Sequence, residues 1–167
     1  MTGIQSTLPY AAFLIYCVLL LVAAIFDVWK YMIPNWVSLG LAGLFLVTAP
    51  FLPMPVGWLS HLGAGGAILA VGMVFFTLGR LGGGDVKLIA AVSLWTGFEY
   101  LFDFLVYVSL AGGILALLLL LARRILREHP IVPQVLRAGE SIPYGLAIAP
   151  AAILVGGLLP ALGSLWA

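Results

Sequence analysis

Apolar residues run through this chain in long blocks, and the few charged residues between them mark out its elements. No Asp, Glu, Lys or Arg occurs in 1–26, 31–79, 88–98, 104–122 or 141–167. A membrane-spanning helix needs about 20 mostly apolar residues. The block 31–79 is far too long for one such helix. Its middle, Ala49-Pro50-Phe51-Leu52-Pro53-Met54-Pro55-Val56-Gly57, predicts a turn between two helices, because proline and glycine interrupt helical hydrogen bonding. The block 88–98 is short, but the stretch from Asp85 to Asp103 rises about 25 Å as a helix, which barely spans. The pattern predicts six helices, near 9–29, 35–51, 58–79, 86–102, 104–122 and 144–166. That is an all-α polytopic membrane protein, one integral membrane domain over 1–167, with no soluble domain, linker or internal repeat.

Composition excludes the main alternatives. Hydrophobic residues make up 64% and charged residues 8%, against roughly 25% charged in soluble domains. So few charges cannot cover a soluble globule. Seven Lys and Arg form no continuous basic face, which argues against nucleic-acid binding. The single cysteine, Cys17, excludes an internal disulfide and a cysteine zinc site. It is expected to pack as a small hydrophobe.

The positions of the charges set an orientation. If the helices alternate, the connections near 27–34, 80–87 and 123–143 share one side. They hold Lys30, Arg80, Lys87, Arg123, Arg124, Arg127 and Arg137, which are all the basic residues. The other side holds Glu99 and Asp103. The positive-inside rule puts the basic side in the cytoplasm and both termini on the non-cytoplasmic side. Trp29, Tyr31 and Trp36 on one side, and Trp58 and Trp166 on the other, fit interfacial belts. The N-terminus lacks a basic n-region, so no cleaved signal peptide is expected. The segment 123–140, interrupted by Pro130 and Pro133, reads as an interfacial stretch lying on anionic lipid. Gly63, Gly65, Gly66 and Gly72 are expected to let the third helix pack closely.

Two acids remain at one depth. Asp27 ends a charge-free run one turn inside the interface, and Asp85 opens the shortest span. An acid in a membrane span is costly, and therefore a functional candidate. Two carboxylates close together share one proton. The ionised one can take a proton from water while the neutral one donates to a peptide carbonyl, the chemistry of an aspartic protease. Structural readings stand beside this. Asp85 also suits a helix N-cap after Gly82-Gly83-Gly84, whereas Asp27 would sit at the unfavourable end of a helix for an anion. The glycines would let an extended substrate backbone approach, or simply make a flexible loop. Lys87 could bias the dyad or bind a substrate carbonyl, or snorkel as an anchor. Pro34 suits the first turn of helix 2; Asn35 could bond substrate or only start the helix. Tyr144 could reach the site or belong to the belt. His129 has no second ligand nearby, so no metal is expected, and His61 is given no role. A rival reading is a small transporter or channel subunit using both aspartates for cations or protons. That function favours polar groups at the midplane of several helices, and these helices are apolar there. A non-enzymatic assembly factor would not need two acids at matched depth.

These residues resemble the type 4 prepilin leader peptidases, membrane aspartic proteases of the GxGD type. Asp27 with Ile33-Pro34-Asn35 is similar to that family's first catalytic motif. Gly82-Gly83-Gly84-Asp85-Val86-Lys87 is similar to its GxGD motif with the trailing lysine. Ile142-Pro143-Tyr144-Gly145-Leu146-Ala147-Ile148-Ala149-Pro150 is similar to the segment opening its last helix. The resemblance implies catalytic Asp27 and Asp85 at the cytoplasmic face of the bacterial inner membrane. It implies removal of a short basic leader from prepilin or pseudopilin precursors, just before their hydrophobic helix, without a cofactor and in association with pilus assembly machinery. The chain lacks the extra N-terminal part and four-cysteine zinc-binding loop of the large members. It is more similar to the short forms found with tight-adherence (Flp-type) pili, and the N-methylation associated with the large members is not carried over.

Overall fold

The computed structural model describes residues 2–51, 56–125 and 142–159, which form helices and no strand. In chain order these are α1 (Thr2–Lys30), α2 (Asn35–Thr48, continued by a 3-10 turn at Ala49–Phe51), α3 (Trp58–Thr77), α4 (Gly83–Ile125) and α5 (Gly145–Leu158). The expected interfacial segment 123–140 begins inside α4, which keeps Arg123, Arg124 and Ile125 helical; its remainder, with Arg127, His129 and Arg137, lies outside the described residues, as does Trp166.

The ends of α1 and α2 follow from local chemistry. Tyr31 takes a left-handed φ of 50°, and its N–H closes the last turn of α1 on the Asp27 carbonyl at 2.9 Å. Pro34 is extended (φ −63°, ψ 137°) and stands as the N-cap of α2, without a side-chain cap. A proline there is fixed near the φ it needs and has no N–H to leave unpaired. Four residues, 31–34, therefore turn the chain back on itself.

The largest departure from the charge pattern is in α4. The expected break at Asp103 occurs instead at Gly97, which has φ 58° and ψ −173° inside the helix. That backbone is open essentially only to glycine. In a straight helix, Asp85 and Ser109 would stand about 36 Å apart, yet both line one cavity. The helix therefore folds back at Gly97 into two arms, 83–96 and 98–125, and Asp103 lies within the second. A regular helix would join the Phe98 N–H to the Leu94 carbonyl. Here the Phe98 N–H donates to Ser60 Oγ at 3.0 Å. The Leu94 carbonyl lies 2.7 Å from His61 Nδ1, whose N–H donates to it. Adjacent residues of α3 thus satisfy both groups freed by the elbow. This is the role of His61, which carries no legible signal in the sequence.

Small residues set the spacing of α3 against the first arm of α4. A Cβ at Gly65 would come within 2.5 Å of the Leu94 side chain, and one at Gly72 within 2.6 Å of Val86. The core is completed by α1, α2 and α5, with Tyr16, Leu20, Leu41, Phe45 and Ile148 fully buried. Two buried polar tips are matched: Tyr16 Oη donates to the Ala152 carbonyl at 3.1 Å, and Trp95 Nε1 to the Leu41 carbonyl at 3.1 Å. The outer surface is apolar. Leu14, Val18, Leu21 and Ile25 form an exposed stripe on α1, of a kind that water would penalise and lipid accepts. Leu8–Lys30, Trp58–Thr77 and Gly83–Ile125 are long and apolar enough to cross a membrane, and Asn35–Phe51 and Gly145–Leu158 are shorter apolar helices.

Candidate active site

Asp27 is 6% exposed. It sits in the last turn of α1, where the unpaired carbonyls of the helix disfavour a negative charge. The compensation comes from the other end of the sequence. Gly145, the first residue of α5, donates its N–H to Asp27 Oδ2 at 2.6 Å. That N–H is one of the donors a helix N-terminus leaves free, and the dipole of α5 points its positive end at the carboxylate. The approach requires glycine: a Cβ at Gly145 would lie 2.9 Å from Asp27 Oδ2 and 3.0 Å from its Cβ. Gly145 is thus a site residue that sequence reasoning passed over in favour of its neighbour Tyr144. The signal was present in the Pro143-Tyr144-Gly145 run.

Asp85 sits in the first turn of α4. The Val86 N–H bonds the Gly82 carbonyl at 3.1 Å, which makes Gly82 the N-cap. The Asp85 carboxylate reaches back to accept the Gly82 N–H, the acid's half of a capping box, because glycine has no side chain to return the bond. Asp85 is therefore not the N-cap that the sequence suggested; it stands three residues inside the cap, in the first turn of α4. The glycines before it permit a close crossing. A Cβ at Gly84 would stand 3.1 Å from the Ile33 Cβ and 3.3 Å from the Ile33 nitrogen. The Gly82–Gly84 loop thus lies against the α1–α2 turn.

That crossing forms one cavity of about 340 Å³. Asp27 and Asp85 line it together, close enough for their charges to interact. Pro34, Asn35, Gly82, Gly83, Gly84 and Lys87 line it as well. Lys87 Nζ donates to Asn35 Oδ1 at 2.9 Å, joining the two motifs. Tyr144 is set apart from these residues. It lines a second cavity of about 280 Å³ that touches the first only through Asp85. Among the described residues no three of His, Cys, Asp or Glu come together as metal ligands.

Fold and site together define a class: an all-helical, multi-pass membrane protein whose helix ends bring two carboxylates into one small pocket. The model of the type IV leader peptidase family matches residues 14–117, and the chain belongs to that family. No curated protein and no solved structure matches it. Membership indicates a peptidase of the type IV leader peptidase kind. The matched span contains both acids, Pro34, Asn35, the glycine loop and Lys87; Tyr144 and Gly145 lie beyond it.

Proposed function

We propose that the protein is an aspartic endopeptidase that removes the short basic leader from a prepilin-like precursor at the cytoplasmic face of the inner membrane. The observation carrying this reading is that Asp27 and Asp85, far apart in sequence, line one cavity of about 340 Å³. In the proposed reaction the pair carries one proton. The ionised carboxylate takes a proton from water, whose oxygen attacks the scissile carbonyl carbon. The protonated carboxyl gives its proton to the carbonyl oxygen. The resulting tetrahedral intermediate collapses, the C–N bond breaks, and the leaving amine takes a proton from the dyad. The roles belong to the pair as a unit. The Gly145 N–H and the α5 N-terminus hold Asp27 in place with fixed dipoles.

The six-span topology belongs to the same proposal. The Gly97 elbow divides α4 into two passes, which with α1, α2, α3 and α5 make six. Lys30, Arg80 and Lys87 flank the end of the bundle that carries the two acids, and Glu99 follows the elbow. The positive-inside rule then sets the cavity toward the cytoplasm, where a precursor would present its leader before export.

The test is cleavage of a purified precursor with a basic leader by the protein in detergent or nanodiscs. Asp27→Asn and Asp85→Asn should each lower kcat by at least about 10²-fold, the scale of lost acid–base catalysis, while inserting normally. Cleavage that survives either substitution would overturn the dyad.

A further inference from the structure

A third and larger concavity, about 450 Å³, opens between α2, α3 and the first arm of α4. It shares Asn35 and Lys87 with the two-carboxylate cavity, so the hydrogen-bonded pair stands between the two spaces. Its walls combine small residues, Ala42 on α2, Gly65 and Gly66 on α3, and Ala90 and Ala91 on α4, with Leu39, Leu69 and Leu94. Gly65 is explained by packing inside the protein, because a Cβ there would meet Leu94. Gly66 is not: a Cβ there meets nothing within 4 Å.

Ser38 adds an independent observation. It lines this groove, is 7% exposed, and its buried Oγ has no hydrogen-bond partner among the described residues. Helical serines ordinarily turn the hydroxyl back onto the carbonyl of the preceding turn. Ser93 and Ser109 do so here, onto Ile89 and Leu105 at 2.8 and 2.7 Å. The described residues thus supply no partner for the Ser38 hydroxyl, which lies buried beside the groove.

We infer that this groove receives the first turns of the precursor's apolar helix, the part that follows the scissile bond; this rests on the peptidase reading above. Three features select that occupant. The groove begins at the wall of the two-carboxylate cavity, so a chain cleaved there continues into it. It runs from Lys87 to Leu94, about 10 Å along the helix, or roughly two turns. Its small residues allow a second backbone to come close, as helices pack in a bilayer. Turned outward about its Cα–Cβ bond, the Ser38 hydroxyl would then bond a backbone carbonyl or small polar side chain of the bound helix. A lipid chain, which needs neither a close backbone approach nor a hydroxyl, uses these features less well.

The experiment uses the full-length protein in nanodiscs with a precursor made of a short basic leader followed by an apolar helix. Gly66→Leu and Ala42→Leu, which fill the groove, should each raise KM about ten-fold or more with little change in kcat, the signature of lost substrate binding. Leu14→Trp, on the outer face of α1, should leave both unchanged. A photo-crosslinking residue at position 69 in the Asp27→Asn background should capture the first two turns of the precursor helix. If the wild type cleaves and both groove variants keep its KM, the groove inference falls and the peptidase reading stands. Crosslinks to lipid alone, with unchanged KM, overturn it likewise. If the wild type cleaves no precursor, the peptidase reading falls and takes this inference with it.

Discussion

Gly145 and Asp27 are where a single atom matters most. The glycine N–H reaches the carboxylate at 2.6 Å, and a methyl group in place of its hydrogen would lie about 3 Å from three atoms of that side chain. Gly145→Ala should therefore displace Asp27 and lower kcat by about 10²-fold, with the protein still folded, as circular dichroism and kinetics on one preparation would show. Lys87 poses a different question. Its ammonium is engaged by Asn35, joining two loops at the mouth of the site. Lys87→Met should leave Asn35 without its donor and raise KM more than it lowers kcat, measured on the same precursor. The dyad itself should give a bell-shaped pH profile. At low pH both carboxyls are protonated and no base remains; at high pH both are ionised and no acid remains. A profile with one limb only would mean that a single carboxylate acts.

Among the elements, the elbow in α4 has the clearest energetic consequence. Gly97 holds a conformation that costs another residue about 1–3 kcal/mol, and a Cβ there would also stand 3.1 Å from Ser60 Oγ. Gly97→Ala should lower the thermal midpoint in detergent. His61→Phe keeps the ring but leaves the Leu94 carbonyl unpaired, at a cost of about 1–3 kcal/mol. Ser60→Ala should act in the same direction through the Phe98 N–H. These contacts set where the first arm of α4 begins its return, and hence the depth of Asp85 at its other end. The double variant of His61→Phe and Ser60→Ala should therefore be less destabilised than the sum of those two singles, because both act on one elbow. The charge pattern placed this break at Asp103 because a charge is visible in a sequence. A glycine whose neighbours in another helix satisfy its broken hydrogen bond is not.

For the whole molecule, the apolar surface and the placement of charge belong together. Exposed Leu, Val and Ile side chains on α1 and the second arm of α4 would be untenable in water. Single cysteines at Lys30 and at Glu99, in a Cys17→Ala background, should label with an impermeant maleimide from opposite faces of sealed vesicles. Labelling from one face would overturn the six-span topology. The sequence by itself determined that the chain is helical, apolar and built for a bilayer. Charge is too costly there to be scattered, so each charged position is informative. It also singled out Asp27, Asp85, the glycine loop and the Pro34–Asn35 turn, because an acid near a bilayer and a glycine run before it are local signals. Only the tertiary structure decided what those residues touch. The Gly145 N–H that meets Asp27, the Ile33 backbone that Gly84 must clear, and the His61 and Ser60 that close the Gly97 elbow are all relations between distant parts of the chain. They depend on crossing geometry and on which backbone groups are left unpaired, and neither is encoded in the order of polar and apolar residues along one helix.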